Sequence, residues 1–239
     1  MGARFLARRV IVERTGGESP EAAARDARMA ALAEVDADAV LLAQHRDDQA
    51  ETVLLNALRG SGVDGLAAIP RMRTLGEGRP VLLRPFLDLP RAELEACARD
   101  NVLRWIEDPS NADTSIRRNL LRHRVLPLLD ASMPQARSAL VRLAGHAADA
   151  RRLAEDLADL DAAVWSDDRG LRCRAFAELP PHRARNLLRR QLALAGTRMP
   201  DVARLDEMLR QLTGDGRPEV FHDGRLVTRR GGRLCISPD

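Results

Sequence analysis

The sequence predicts an α/β fold in which short buried strands alternate with amphipathic helices. Two apolar runs, at residues 10–12 and 39–43, are each followed by a helical pattern, over residues 20–34 and 48–59. This β-α-β-α order is typical of a parallel sheet with crossover helices. The C-terminal part instead has helical patterns followed by short alternating strands, which indicates a separate α+β module.

The N-terminal half is predicted element by element from its apolar periodicity and its turn residues. After the strand at 10–12, Ser19 is a good N-cap for the next helix, and Pro20 occupies its first position. The strand at 39–43 leads into a helix that ends near Gly60. The later elements are an edge strand or extended segment at 80–86, a helix at 91–100, an extended segment at 103–106 and a helix at 116–125 that breaks at Pro127.

The C-terminal half is predicted to contain a long connecting helix and a small module. Apolar residues at helical spacing run through residues 138–165, and further helices are expected near 182–195 and 201–212. Asp223-Gly224 and Gly231-Gly232 then predict two hairpin turns. The predicted domains are an incomplete α/β domain at 1–130, a helical connector at 131–165 and an α+β domain at 166–239.

Basic charge is concentrated in the C-terminal third. The net charge is +3, and all 38 basic residues are Arg. Residues 1–125 contain 19 Arg and 19 acidic residues, whereas residues 166–239 contain 15 Arg and 10 acidic residues. The excess indicates an anionic partner such as nucleic acid. Genomic base composition is the alternative explanation for the use of Arg alone.

The cysteines and the hydropathy exclude several classes of protein. Cys97, Cys173 and Cys235 lie far apart without a CxxC pair, which argues against a zinc or iron–sulfur site and against a disulfide framework. Isolated thiols fit a reducing cytoplasm, which is the location that we expect. No apolar run approaches the length of about 18 residues that a membrane span needs, and no signal peptide is apparent in the pattern.

A polar cluster follows the strand at 39–43, where ligands bind in open α/β sheets. His45, Asp47, Asp48 and Glu51 lie at the start of a predicted helix. One interpretation is structural, with Asp48 as the cap and Glu51 completing a capping box. The other is functional, because an imidazole beside two carboxylates could carry out acid–base chemistry, and Asp47 with Asp48 could bind Mg²⁺.

Arginines on two other helices are further candidates. Arg118 and Arg122 are four residues apart and therefore share one helical face, which suits a phosphate or carboxylate ligand. The alternative is a solvated basic face. Arg25, with Arg28 on the same helix, is four residues from Glu21, and that spacing alone favours a stabilising pair.

Six motifs in a fixed order carry a family resemblance. They are Ser19-Pro20-Glu21 with Arg25 and Arg28, His45-x-x-Asp48-x-x-Glu51-Thr52, Arg59-Gly60-Ser61-Gly62, Leu83-Arg84-Pro85-Phe86, Trp105-x-x-Asp108-x-Ser110-Asn111 and Arg118-Asn119-x-x-Arg122. In this order they resemble the tRNA(Ile)-lysidine synthetase family, of the PP-loop (N-type) ATP pyrophosphatase superfamily. The resemblance covers most of residues 10–130, and the layout of residues 175–239 is similar to the substrate-binding module of that family.

The resemblance implies a C-terminal part of a Rossmann-like parallel-sheet PP-loop domain and a ligase that modifies tRNA. Family members use ATP, with Mg²⁺, to adenylate the wobble cytidine of an isoleucine tRNA with a CAU anticodon, and L-lysine then displaces AMP to give lysidine. The resemblance also allows a homodimer. The implied site residues are His45, Asp48 and Glu51 for catalysis, Arg25, Arg28, Arg118, Asn119 and Arg122 for phosphate or substrate, Arg225, Arg229 and Arg230 for tRNA, and Asp47 with Asp48 for Mg²⁺.

One superfamily motif is not found in the sequence. The phosphate loop Ser-Gly-Gly-x-Asp-Ser, whose backbone N–H groups bind pyrophosphate, has no match, so the first two β-α units are expected to be missing. Such a half sheet would expose a strand face that is normally covered. The chain could be a fragment or a degenerate member that only binds tRNA. A tRNA thiolase, which would need clustered cysteines, and an amidotransferase synthetase, which would not need Arg-Asn-x-x-Arg, are weaker alternatives.

Overall fold

The computed structural model describes residues 5–12 and 20–238, which divide into two compact units, residues 1–148 and 149–239. The boundary falls within a long helix, so each unit contains part of that helix. Among the described residues, no helix combines the length and the apolar character needed to cross a bilayer.

The N-terminal unit contains a three-stranded sheet and short helices. Its strands are β1 (Ala39–Leu41), β2 (Met72–Thr74) and β3 (Val81–Leu83). Its helices are α1 (Pro20–Ala33), α2 (Arg46–Leu58), α3 (Val63–Leu66), α4 (Arg91–Asp100), α5 (Arg117–Leu120), α6 (Leu126–Ser132) and the first part of α7 (Ala136–Trp165), with a 3₁₀ turn at Pro109–Ala112 and a π-helical turn at Leu121–Val125. The predicted helices at 20–34, 48–59, 91–100 and 138–165 are therefore confirmed within a few residues.

The sheet has the order β1-β3-β2, in which β1 and β3 are parallel and β2 is antiparallel to β3. The prediction of an edge strand at 80–86 is wrong, because β3 is the central strand. Pro80 and Pro85 flank the three paired residues, so neither proline removes a hydrogen bond from the ladder. Strand β2 had no counterpart in the sequence prediction.

The strand predicted at residues 10–12 does not form. These residues are exposed and have no regular secondary structure, because no described strand pairs with them. The predicted N-cap Ser19 lies outside the described residues. The break predicted at Pro127 is also wrong, since the helix changes to a π-helical turn just before it and continues as α6. Pro127 lies within the first two residues of α6, the part of a helix in which proline is best tolerated.

The two faces of the N-terminal sheet differ in burial. Leu82 in β3 is fully buried on one face, whereas Leu41 and Met72 on the opposite face are 66% and 63% exposed. The pairings of Leu41 and Met72 with Leu83 place both side chains on that same face. Parallel strands are normally covered on both faces, so the described part of the chain leaves an apolar sheet face open to solvent.

The C-terminal unit packs helices against an antiparallel sheet. It contains the rest of α7, β4 (Ser166–Asp167), β5 (Gly170–Leu171), α8 (Arg174–Glu178), α9 (Pro181–Leu194), α10 (Val202–Thr213), β6 (Glu219–His222), β7 (Arg225–Arg230) and β8 (Arg233–Pro238). Leu187, Leu205 and Val227 are fully buried members of its apolar core. The predicted helices and both hairpins are confirmed, and the positive φ angles at Asp223-Gly224 and Gly231-Gly232 are those of the predicted turns.

Candidate functional site

The polar cluster lies where β1 leads into α2. His45 is the N-cap, and its Nδ1 accepts a hydrogen bond from the backbone N–H of Asp48 at 3.4 Å. The Asp48 carboxylate in turn accepts from the backbone N–H of His45 at 3.0 Å. A capping box is therefore present, but the prediction that Asp48 is the cap and Glu51 its partner is wrong by one helical turn. The reciprocal bonds satisfy two N–H groups that the start of a helix leaves free.

Glu51 is fully buried and binds two arginines from another segment. Its Oε2 accepts from Arg118 Nε at 2.8 Å, and its Oε1 accepts from Arg122 Nε at 2.6 Å. Arg122 Nη2 also donates to Glu51 Oε2 at 2.9 Å and to Asp48 Oδ1 at 3.3 Å. The hydrogen bond to Glu51 raises the pKa of Arg122 above its ordinary value. The sequence-predicted residues Asp48, Glu51, Arg118 and Arg122 thus form one ion network that joins α2 to the α5 region.

Asp47 belongs to a second network. Its Oδ1 accepts from Arg137 Nη1 at 2.5 Å, and its Oδ2 accepts from the backbone N–H of Arg91 at 2.8 Å. Arg137 also donates from Nε to Asp130 at 2.7 Å. Burial would raise the pKa of Asp47, but the hydrogen bond from Arg91 and the charge of Arg137 outweigh it and leave that pKa below 3.8. The carboxylate therefore stabilises the start of α4 and α7 rather than projecting into solvent.

Asp47 and Asp48 do not fit the predicted Mg²⁺ site. Guanidinium groups bind both carboxylates, and hard divalent cations need several free oxygen ligands. Within residues 5–12 and 20–238, no three His, Cys, Asp or Glu side chains group closely enough to hold a metal ion. The chemistry available here is that of His45 and Asp48, whose side chains are each about 15% exposed.

Asn119 has a different role from its neighbours in sequence. Its side-chain amide is buried and donates to the backbone oxygens of Ser110 at 2.8 Å and Asp113 at 3.0 Å. Asp108 caps the 3₁₀ turn between them through the N–H of Ser110 at 2.9 Å. Asn119 therefore holds the loop at 108–113 and does not contact the Glu51 network.

Two predicted arginines on α1 are exposed. Neither Arg25 nor Arg28 makes a hydrogen bond or an ion pair with a described residue. The charge of Arg25, however, acts on Arg84, which follows β3 and which sequence reasoning did not assign to a site. Arg84 is 5% exposed and binds the side chain of Gln44, the residue before His45. The motif Leu83-Arg84-Pro85-Phe86 was the sequence signal that could have assigned Arg84 to a site.

The three arginines predicted to bind tRNA are in different environments on β7. Arg229 donates from Nη1 to the backbone oxygen of Leu212 at 2.8 Å and from Nη2 to that of Gly216 at 2.6 Å. Its guanidinium thus binds carbonyl oxygens at and just beyond the C-terminal end of α10. Arg225 is half-buried and Arg230 is exposed, and neither has an ion-pair or hydrogen-bonding partner for its side chain among the described residues.

Comparisons with known proteins identify both units. Residues 4–129 match the model of the PP-loop domain, and residues 171–235 match that of the TilS substrate binding domain. The chain is similar to the tRNA(Ile)-lysidine synthases of Nitrosomonas europaea (45% identity, 85% of this chain and 45% of the relative), Ralstonia nicotianae (44%, 99% and 52%) and Burkholderia mallei (49%, 89% and 45%). It spans about half the length of these curated relatives. The chain belongs to the PP-loop domain family.

Proposed function

We propose that this chain acts in tRNA modification, in the ATP-dependent joining of L-lysine to the wobble cytidine of an isoleucine tRNA with a CAU anticodon. The reaction passes through an adenylated cytidine and gives lysidine, with the formation of a C–N bond. The observation that carries this proposal is the network around His45, Asp48 and Glu51 at the carboxyl end of β1, in a chain whose relatives are named tRNA(Ile)-lysidine synthases.

The side chains of His45, Asp48 and Glu51 differ in burial, and we propose different roles for them on that basis. Asp48 keeps an accessible carboxylate, which is 15% exposed although it already contacts His45, Arg118 and Arg122. The two oxygens of a carboxylate can accept about four hydrogen bonds. Asp48 would therefore hold the ammonium group of lysine and could accept its proton. The N-cap His45 lies beside this carboxylate, with its Nε2 at 3.4 Å from Asp48 Oδ2, and would keep it oriented.

Glu51 has no exposed surface and cannot touch a substrate. It is a positioning residue, because it fixes the Nε groups of both Arg118 and Arg122. Each of these guanidinium groups keeps its Nη1 free of hydrogen bonds to described residues, so the pair can present two N–H donors to a phosphate. The proposal thus moves Glu51 from catalysis to the support of two anion-binding side chains.

A second part of the proposal is that the chain does not contain a complete catalytic site. The 239 residues contain no Ser-Gly-Gly-x-Asp-Ser, and Asp47 with Asp48 does not fit Mg²⁺. We therefore propose that this polypeptide alone does not form lysidine. Residues 1–130 would form a partial PP-loop domain, residues 131–165 a connector and residues 166–239 the tRNA-binding module. Sedimentation equilibrium of the chain tests the homodimer that the resemblance implies.

The test uses the chain alone and grafted into a full-length relative. The chain is incubated with ATP, Mg²⁺, lysine and the tRNA, and a nucleoside digest is analysed for lysidine by mass spectrometry. We expect none from the chain alone. We expect lysidine from a chimera in which this chain replaces the matching region of the Ralstonia nicotianae enzyme, and none when that chimera carries Asp48→Ala. Full activity of the Asp48→Ala chimera would show that the site is misplaced.

A second candidate function is tRNA binding without catalysis. It is favoured by Arg225 and Arg230, for which residues 5–12 and 20–238 provide no carboxylate partner, and by the basic excess of residues 166–239. This function predicts tRNA affinity with a steep salt dependence and no ATP affinity. Separate titrations of ATP and tRNA distinguish it from the ligase, since ATP binding by the chain would exclude it.

A further inference from the structure

Arg137 lies in the first turn of α7 and joins two carboxylates of the N-terminal unit. It donates from Nη1 to Asp47 Oδ1 at 2.5 Å and from Nε to Asp130 Oδ2 at 2.7 Å. Burial would lower the pKa of Arg137, but the hydrogen bond to Asp130 and the charge of Asp47 outweigh it and leave that pKa above its ordinary value. None of the six ordered motifs contains Arg137. The fold alone brings this charged group to the start of α2.

Asp47 connects Arg137 to the starts of two helices. Its Oδ2 accepts from the backbone N–H of Arg91, the first residue of α4, and lies 3.8 Å from Nδ1 of His45, the N-cap of α2. Helix α4 has no cap from its own N-cap residue, so Asp47 supplies an acceptor that this helix would otherwise lack. The geometry at both helix starts therefore depends on where this one carboxylate is held.

The place of Asp47 matters to the capping box because two acceptors face each other. Nδ1 of His45 accepts the N–H of Asp48, so its lone pair points into the first turn of α2, close to the charged Asp47 Oδ2. Arg137 offsets that charge and holds the carboxylate through its other oxygen. Aspartate side chains compete for free N–H groups nearby. Without Arg137, Asp47 would be free to turn and to displace His45 from the N–H of Asp48.

We infer that Arg137 is a positioning residue for the lysine side of the proposed reaction. Acting through Asp47, it would keep His45 in the cap of α2 and thereby orient the carboxylate of Asp48, which would hold the ammonium group of lysine. A misplacement of about 1 Å at a reacting group costs about a hundredfold in rate, so a small rotation of the cap is measurable. The role of Asp48 in this series of contacts rests on the proposed function, whereas the contacts of Arg137 and Asp47 do not.

The first experiment measures steady-state kinetics of the chimera with the Ralstonia nicotianae enzyme. We expect Arg137→Gln to raise the KM for lysine about tenfold and to leave the KM for ATP within about twofold, because the change acts on the group that binds lysine. Arg137→Lys keeps the charge beside Asp47 and should restore the KM for lysine to within about threefold of the wild type. An unchanged KM for lysine in Arg137→Gln would overturn the inference and leave Arg137 a purely structural role.

Arg183→Gln is the matched control for a loss of stability. Arg183 pairs with the buried Asp161 in the C-terminal unit, so this variant also breaks an ion pair between an arginine and a partly or fully buried aspartate. It should lower the midpoint of urea denaturation, as Arg137→Gln does, but leave the KM for lysine unchanged. An equal rise in the KM for lysine in both variants would mean that reduced stability, and not the position of the cap, causes the effect.

A second experiment uses the 239-residue chain itself and needs no turnover. Amide hydrogen exchange, followed by NMR, reports on the N–H groups of His45, Asp48 and Arg91, which make the bonds described above. We expect Arg137→Gln to accelerate exchange at these three about tenfold relative to the later turns of α2. Uniform acceleration across the N-terminal unit, or none, would overturn the inference. Asp130→Asn, which removes the other anchor of Arg137, takes the place of Arg137→Gln if that variant fails to fold.

The two experiments separate this inference from the proposed function. If the wild-type chimera forms no lysidine, the proposed function is rejected, and the exchange rates still decide whether Arg137 holds the capping box. If lysidine forms and the exchange rates at the capping box do not respond to Arg137→Gln, the proposed function stands and the positioning role of Arg137 is rejected.

Discussion

Two groups of arginines in the N-terminal unit differ in their partners. Arg118 and Arg122 surround a buried carboxylate, that of Glu51, whereas Arg84, Arg73 and Arg25 have no described carboxylate within reach. In the first group most of the positive charge is neutralised, so the arginines serve mainly to join two segments. In the second group no carboxylate of a described residue compensates the charge. The same residue type is therefore paired with a buried carboxylate in one place and lacks a described carboxylate partner in the other.

The largest expected effect tests the structural side of this comparison. Glu51→Gln should lower the free energy of unfolding by about 3 kcal/mol, because it removes the nearest counter-charge of two partly buried guanidinium groups. The measurement is urea denaturation followed by circular dichroism. Glu95→Gln is the control, since Glu95 pairs with Arg91 and Arg99 at the surface and should cost about 0.5 kcal/mol. Similar losses in the two variants would show that the Glu51 network does not hold α2 and α5 together.

The residues that sequence reasoning placed correctly are those whose contacts are local. The two β7 hairpins follow from Asp223-Gly224 and Gly231-Gly232, because those turns need residues that accept positive φ. The C-terminal helices follow from a regular apolar spacing that survives in the core, as at Leu187 and Leu205. In both cases the neighbours along the chain determine the structure.

The errors arose where partners are distant in sequence. The spacing of Arg118 and Arg122 showed that they share a face but could not show that Glu51 lies against it, 67 residues away from Arg118. Asp48 is a typical cap residue, yet a histidine ring one turn earlier takes that position. The apolar residues 10–12 read as a strand, but a strand needs a neighbour, and the described residues provide none.

The next effect concerns Asp47, whose interactions resemble those of Glu51 but are more exposed. Because its folded-state pKa lies below the ordinary value of 3.8, its contribution to stability is complete above that value and is lost as the pH falls through the folded-state pKa. Asp47→Asn should cost about 1.5 kcal/mol at pH 7, from the hydrogen bonds with Arg137 and Arg91.

The pH dependence makes this prediction specific. The difference in free energy of unfolding between the wild type and Asp47→Asn should be constant from pH 5 to 7 and should shrink below about pH 4. Urea denaturation at each pH measures it. A difference that grew as the pH fell would mean that the carboxylate is not held in its charged form by Arg137.

In the C-terminal unit, two adjacent arginines of β7 allow the same comparison between a partnered and an unpartnered side chain. The expected change in the free energy of unfolding is smaller there. Arg229 donates to two backbone oxygens at the end of α10, whereas Arg230 is exposed and lacks a described partner. Arg229→Met should lower the free energy of unfolding by about 1 kcal/mol, because it leaves those carbonyl groups without their donors. Thermal denaturation checks this value, and an unchanged midpoint would show that water replaces the guanidinium at no cost.

Arg230→Ala is expected to change stability least and tRNA binding most selectively. An exposed arginine without a partner contributes little to folding, but a phosphate contact made by it releases a counterion on binding. The slope of log affinity against log salt should therefore fall by about 1, with the weakening shared by all tRNA sequences. Filter binding of tRNA between low and moderate salt measures the slope, with Arg174→Ala as control because Arg174 pairs with Glu178. An equal change in slope for both variants would mean that partner-free arginines have no special part in tRNA binding, and the distinction between the two groups of arginines would then not extend to the C-terminal unit.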